Sequence, residues 1–189
     1  DISQAYILLG NLGPKYGTDD WHAVRVMNYI LGGAGLTSRI SNSIREEKGL
    51  AYIAYSYFQR YKEGGFFAAE VQTKKEMVDE AVRSLLDEIE SMRNQISAKE
   101  LEWAKKFYTG YLPLAYDTYS EMADIVAQIE IGDYGLDYLE KFEKYINALS
   151  VDDLRAAATK YLHPDRFCLL IVGDVQPEDL KVDGIEWVR

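Results

Sequence analysis

Arg45 and Tyr52 stand six residues apart in between, in the stretch "IREEKGLAY". An arginine offers five fixed donors and a permanent charge. A tyrosine hydroxyl can donate to an oxygen that gathers negative charge in a transition state. Aimed at one point, the two would hold a peptide carbonyl and stabilise the tetrahedral intermediate of its hydrolysis. Residue types alone leave a second reading open: a solvated arginine that favours a helix terminus, and an amphipathic tyrosine on a strand. Gly49 lies between them, and a reversal there would fold the side chains toward each other.

Other chemistries find fewer residues to use. A catalytic zinc needs about three protein ligands and an open position. The chain has two histidines, His22 and His163, and neither sits in HExxH or in the inverted HxxEH. His22, beside Trp21 on a helix, reads as a packed or surface residue. His163 precedes Pro164 at a helix end, where an imidazolium is favourable. No metal is therefore expected on this chain. Cys168, the only cysteine, lies in "FCLLIV" and reads as a buried structural thiol. No serine occupies a GxSxG elbow. The run Gly32-Gly33-Ala34-Gly35 follows a helix instead of a strand and has no phosphate-loop lysine, so by itself it reads as a helix break.

The elements that must position Arg45 and Tyr52 follow from periodicity. "ISQAYILLG" reads as a strand ended by Gly10. Thr18 is placed to cap a helix with Asp19 and Asp20 in its first turn, and Trp21, Val24, Met27, Ile30 and Leu31 share one face of it. A short helix is expected over Ser38 to Lys48, stopped by Gly49 in a left-handed cap. "AYIAYSYF" and "GFFAAEVQT", joined by "QRYKEGG", read as a β-hairpin. Capping boxes are expected at Thr73/Glu76, Ser97/Glu100, Thr118/Glu121 and Ser150/Asp153. Behind them lie the apolar stripes Val78–Val82–Leu85–Ile89–Met92, Met122–Ile125–Val126–Ile129 and Leu154–Ala157–Ala158–Tyr161. "HPD" ends the last helix, and "RFCLLIVGD" reads as a central, buried strand. The order predicts an α+β fold: one mixed, mainly antiparallel sheet covered on one face by helices.

At 189 residues and 48% hydrophobic, the chain fits a single domain over 1–189 with a full core. Its net charge of −10 and lack of a basic stripe argue against a nucleic-acid partner. An acidic surface suits solubility first and basic peptides second. No apolar run approaches the ~20 residues of a membrane span. With one cysteine no internal disulfide framework exists, which permits a reducing compartment, and a cytoplasmic location is favoured over a periplasmic or mitochondrial one. The chain starts at Asp1 and enters a strand at once, so it is expected to be a piece of a longer protein.

The stretch "VMNYILGGAGLTSRISNSIREEKGLAY" resembles the second-domain signature of the insulinase/pitrilysin-type zinc peptidases, whose processing-peptidase branch reads N-x-x-LGG-x-x-x-SRL and then R-E-x-x-GLAY. Asn28, Leu31, Gly32, Gly33, Ser38, Arg39, Arg45, Glu46, Gly49, Leu50, Ala51 and Tyr52 match it, and Ile40 replaces the usual leucine. "SQAYILLG", "GGFFAAEVQT", "ISAKELEWAKKFYTGYL" and "RFCLLIVGD" extend the likeness over most of the chain.

The resemblance implies the LuxS/mitochondrial-processing-peptidase-like metallohydrolase fold. In that family two similar halves, on one chain or two, close around an unfolded peptide. One half carries HxxEH, zinc and a glutamate general base; the other supplies an arginine and a tyrosine. This chain resembles the second, C-terminal half. Arg45 and Tyr52 match the catalytic pair, with Tyr52 on the substrate carbonyl or its oxyanion and Arg45 positioning the backbone or supporting Tyr52. Gly32, Gly33, Gly35 and Ser38 are implied substrate contacts beside their part in the turn. Zinc is expected in a homologous partner domain or subunit, and the chain is expected to be inactive without it. A structural or assembly subunit of the same fold, or a peptide-binding module that does not cut, stays open as the alternative.

Overall fold

A computed structural model describes residues 4–111 and 117–186. The chain opens with β1 (Gln4–Leu12) and α1 (Trp21–Asn28), and α1 runs on into a π-helical turn over Tyr29–Gly33. A second π-helical segment covers Ser41–Glu47. The hairpin β2 (Ala51–Arg60) and β3 (Gly65–Lys74) follows. Five helices come next: α2 (Val78–Asn94), α3 (Ala98–Tyr111), α4 (Tyr119–Gly132), α5 (Tyr138–Ala148) and α6 (Val151–Tyr161). β4 (Cys168–Val172) returns to the sheet.

The sheet order is β2-β3-β1-β4, and every pairing is antiparallel. Alternation assigns its two faces. Ala5, Ile7 and Leu9 of β1 and Phe67, Ala69 and Val71 of β3 are buried. They pack in one core with Val24 and Met27 of α1 and Val82, Leu85 and Ile89 of α2. The opposite face carries Tyr6, Tyr55, Leu170 and Val172, all exposed. The architecture is thus the expected α+β, with helices on one side of the sheet.

Several local expectations hold because capping chemistry is short-range. The Ser97, Thr118 and Ser150 hydroxyls accept from the backbone nitrogens of Glu100, Glu121 and Asp153, and each carboxylate returns the bond. The stripes of α2 and α6 are buried throughout.

Other expectations are corrected. Thr73 forms no box with Glu76: β3 extends to Lys74, and the buried Thr73 hydroxyl donates to the Leu50 carbonyl at 2.6 Å. Thr18 does not cap α1, because its hydroxyl donates back to the Lys15 carbonyl and Asp20 takes the N-cap position. β1 passes through Gly10 to Leu12, since Gly10 pairs on both sides, with Ala68 and Cys168. β4 is an edge strand, not a central one. Its apolar run looked buried on both faces, yet only Leu169 and Ile171 turn toward the core, and Cys168 is exposed. On α4, Ile129 is buried while Met122 and Val126 stay exposed.

Candidate functional site

One helical irregularity, one bend and one strand bulge set the positions of Arg45 and Tyr52. The π-helical segment Ser41–Glu47 ends when Lys48 donates to the Ser43 carbonyl and Leu50 to the Ile44 carbonyl, at 3.2 and 2.8 Å. Between them Gly49 takes φ +62° with open space where a Cβ would be, so its requirement is conformational. The Thr73–Leu50 bond ties this bend to β3. β2 then starts with an irregular register: Ala51 faces Thr73 and Ile53 faces Gln72, leaving Tyr52 as the bulged residue. A bulge re-aims its side chain out of the regular pleat.

The result brings the two expected residues together. The Arg45 guanidinium carbon lies 4.9 Å from the centroid of the Tyr52 ring, a cation–π distance. Tyr52 is 77% exposed, at one end of the edge strand β2. Arg45 is half-buried, and its Nε sits 3.3 Å from the Glu46 carboxylate. The phenol hydroxyl thus stands toward solvent on a base fixed by helix and strand.

The other motif residues hold this corner in place. Asn28 donates to the Ser56 carbonyl at 3.1 Å and accepts the Ser56 hydroxyl at 2.8 Å. Gly32 is buried against the same serine, and a Cβ there would fall on the Ser56 backbone nitrogen. Ser38 is fully buried and donates to the Gly35 carbonyl at 2.7 Å. Arg39 forks onto both Glu100 oxygens, at 2.6 and 2.9 Å, and also reaches the Ser91 hydroxyl and the Gln95 carbonyl. Burial alone would raise the Glu100 pKa; the bonds from Arg39 and Ser97 outweigh it and hold the carboxylate below its usual range. Of the four candidate contact residues in this segment, Gly33 and Gly35 are exposed and Gly32 and Ser38 are not.

One feature of the open sheet face escaped the sequence reading. Tyr6, Tyr55 and Tyr57 all donate their hydroxyls to the single carboxylate of Glu70. Burial tends to raise the Glu70 pKa, but the three phenols together keep it low, and the Tyr55 phenol is pushed up to about 12, chiefly by its bond to Glu70. The signal was available: Tyr55 and Tyr57 alternate onto one face, and Glu70 is the lone acid of an apolar strand.

Nothing in this corner suits a metal. Among the described residues no three histidine, cysteine or carboxylate side chains gather. His22 stacks on Tyr138 and Tyr145, at 5.7 and 5.1 Å between centroids.

Residues 1–108 match the family model described as the peptidase M16 inactive domain. An uncharacterized zinc protease of Bacillus subtilis (strain 168), YmxG, is 33% identical over 125 residues, 62% of this chain and 29% of that protein. A non-peptidase homolog YmxG of Helicobacter pylori (strain ATCC 700392 / 26695) is 33% identical over 123 residues, 64% of this chain and 28% of that protein. The crystal structure of a peptidase M16 inactive domain from Pseudomonas fluorescens superposes with a TM-score of 0.82 at 28% identity, covering 93% of this chain and 43% of the other. The chain therefore spans less than a third of the length of either curated relative.

Proposed function

The chain belongs to the peptidase M16 inactive-domain family, and on that premise we propose that it is the metal-free half of a zinc metalloendopeptidase, with Arg45 and Tyr52 as its contribution to the reaction. Among the described residues no side-chain cluster suits zinc, and on this reading the metal sits on a homologous domain or subunit that closes over the open sheet face. One observation carries the proposal: an exposed phenol held at 4.9 Å beneath a guanidinium at the end of an edge strand.

An extended peptide that adds to the free edge of β2 would run its backbone past Tyr52. The phenol would donate to the carbonyl oxygen of the bond to be cut, and most strongly as that oxygen gains charge. Arg45 would fix the ring and keep a positive charge nearby. Gly33 and Gly35, exposed on the preceding turn, are left as backbone contacts for the peptide. The tyrosine-bearing face around Glu70 would form the chamber wall.

The test is reconstitution. The chain is mixed with its zinc-bearing half and a quenched peptide, and cleavage is followed by fluorescence. With Arg45→Gln, kcat/KM is expected to fall by roughly tenfold, about 1.4 kcal/mol, in line with a partly desolvated cation–π contact and one lost charge. Cleavage that ignores Arg45 would remove it from the site. A second reading is favoured by the relative described as a non-peptidase homolog: a subunit that holds peptides without cutting them. It predicts peptide binding with no hydrolysis by the reconstituted pair.

A further inference from the structure

Arg60 is the only charged residue among the described residues that is buried, at 7% exposure. Its guanidinium carbon lies 3.5 Å from the Trp21 ring centroid and 4.5 Å from that of Tyr16, and it donates to the Tyr134 hydroxyl. Aromatic faces offset part of the desolvation of a cation. They supply no counter-charge, and a charge taken out of water is costly unless it is paired. No carboxylate pairs with it among the described residues.

Arg25, one turn into α1, is half-buried and also rests on aromatic faces. It lies over Tyr108 and Phe142, at 4.8 and 5.3 Å, and likewise forms no ion pair among the described residues. Both arginines line one cavity of about 360 Å3, within the ordinary range for small-molecule sites. Neither Arg45 nor Tyr52 lines it. The neighbouring His22 senses an excess of positive charge: burial first, then Arg25 and Arg60, lower its pKa to about 4, and its Nδ1 is buried without a partner.

The remaining walls narrow the ligand. Ile125, Ile129 and Leu139 give an apolar side. Asp124 and Glu121 of α4 are exposed and put negative charge at the rim; Glu121 is already engaged with Thr118. Those acids repel a dianion such as phosphate more strongly than a monoanion, and the apolar side suits a monoanion with an apolar tail. We propose that the cavity bounded by α1, the end of β2, α4 and α5 binds a small carboxylate with an apolar body, its head on Arg60 and Arg25. Either a free acid or the terminal residue of a peptide presents that chemistry.

Calorimetric titration of the full chain tests it with three probes: 4-methylpentanoate, acetyl-Ala-Leu as the free acid, and acetyl-Ala-Leu amide. At least one acid is expected to bind saturably at one site per chain with a Kd at or below about 1 mM, and the amide at least tenfold more weakly. Binding of 4-methylpentanoate alone assigns a free acid; binding of the peptide acid assigns a chain end. Arg25→Gln is expected to weaken binding at least tenfold. Asp124→Asn, an exposed change that leaves the core untouched, is expected to strengthen it. No saturable binding by either acid, equal binding of the amide, or affinities indifferent to both substitutions would overturn the assignment.

Discussion

Tyr52→Phe in the reconstituted enzyme is expected to lower kcat by roughly 100- to 1,000-fold, about 2.7–4 kcal/mol of transition-state stabilisation. The substitution removes one hydroxyl and leaves the ring, so the contact with Arg45 at 4.9 Å survives. At 77% exposure the side chain carries little of the fold's stability, and the melting temperature should not move. KM should change much less than kcat, because the hydrogen bond strengthens as the carbonyl oxygen becomes an oxyanion. Steady-state kinetics on a quenched peptide, with a thermal melt of the variant alongside, give both readouts. A fall in kcat below threefold would take the phenol out of the reaction. A fall shared equally with stability would make it a structural residue.

What the sequence revealed and what it hid divide along the range of the interactions involved. The bend at Gly49 was legible because a left-handed cap is a property of one residue. The boxes at Ser97, Thr118 and Ser150 were legible for the same reason. Thr73 had the same local signature and did something else, because a carbonyl 23 positions away, at Leu50, took its hydroxyl. The edge position of β4 was hidden too: an apolar run does not say which strands neighbour it, and β1 pairs β3 on its other side. The juxtaposition of Arg45 and Tyr52 was inferable from the reversal between them. Their geometry also depends on the π-helical segment Ser41–Glu47 and on the bulge at Tyr52, which leave no mark in spacing. Glu70 and its three tyrosines come from three strands, and only the register unites them.

Gly32→Val is expected to destabilise the chain by about 3 kcal/mol, near the top of the range for overpacking a core. The reason lies in the obstacle. A Cβ at Gly32 would meet the backbone nitrogen and the hydroxyl of Ser56, and a strand backbone cannot rotate aside as a side chain can. Ser56 is 2% exposed and is held by two bonds to Asn28, so relief would have to come from the π-helical turn lifting off β2. That turn leads directly into the segment carrying Arg45. Gly35, by contrast, is exposed with φ +59° and nothing near its missing Cβ. Gly35→Ala should cost only the strain of a left-handed residue, about 1 kcal/mol. Urea denaturation of the two variants separates two jobs of the glycine run. A large loss at Gly32 with a small one at Gly35 places the first in docking the helix on the sheet and leaves the second free to meet a peptide. Equal and small losses would mean that β2 yields at Ser56, and that Gly32 is not what sets the distance between the two elements holding Arg45 and Tyr52.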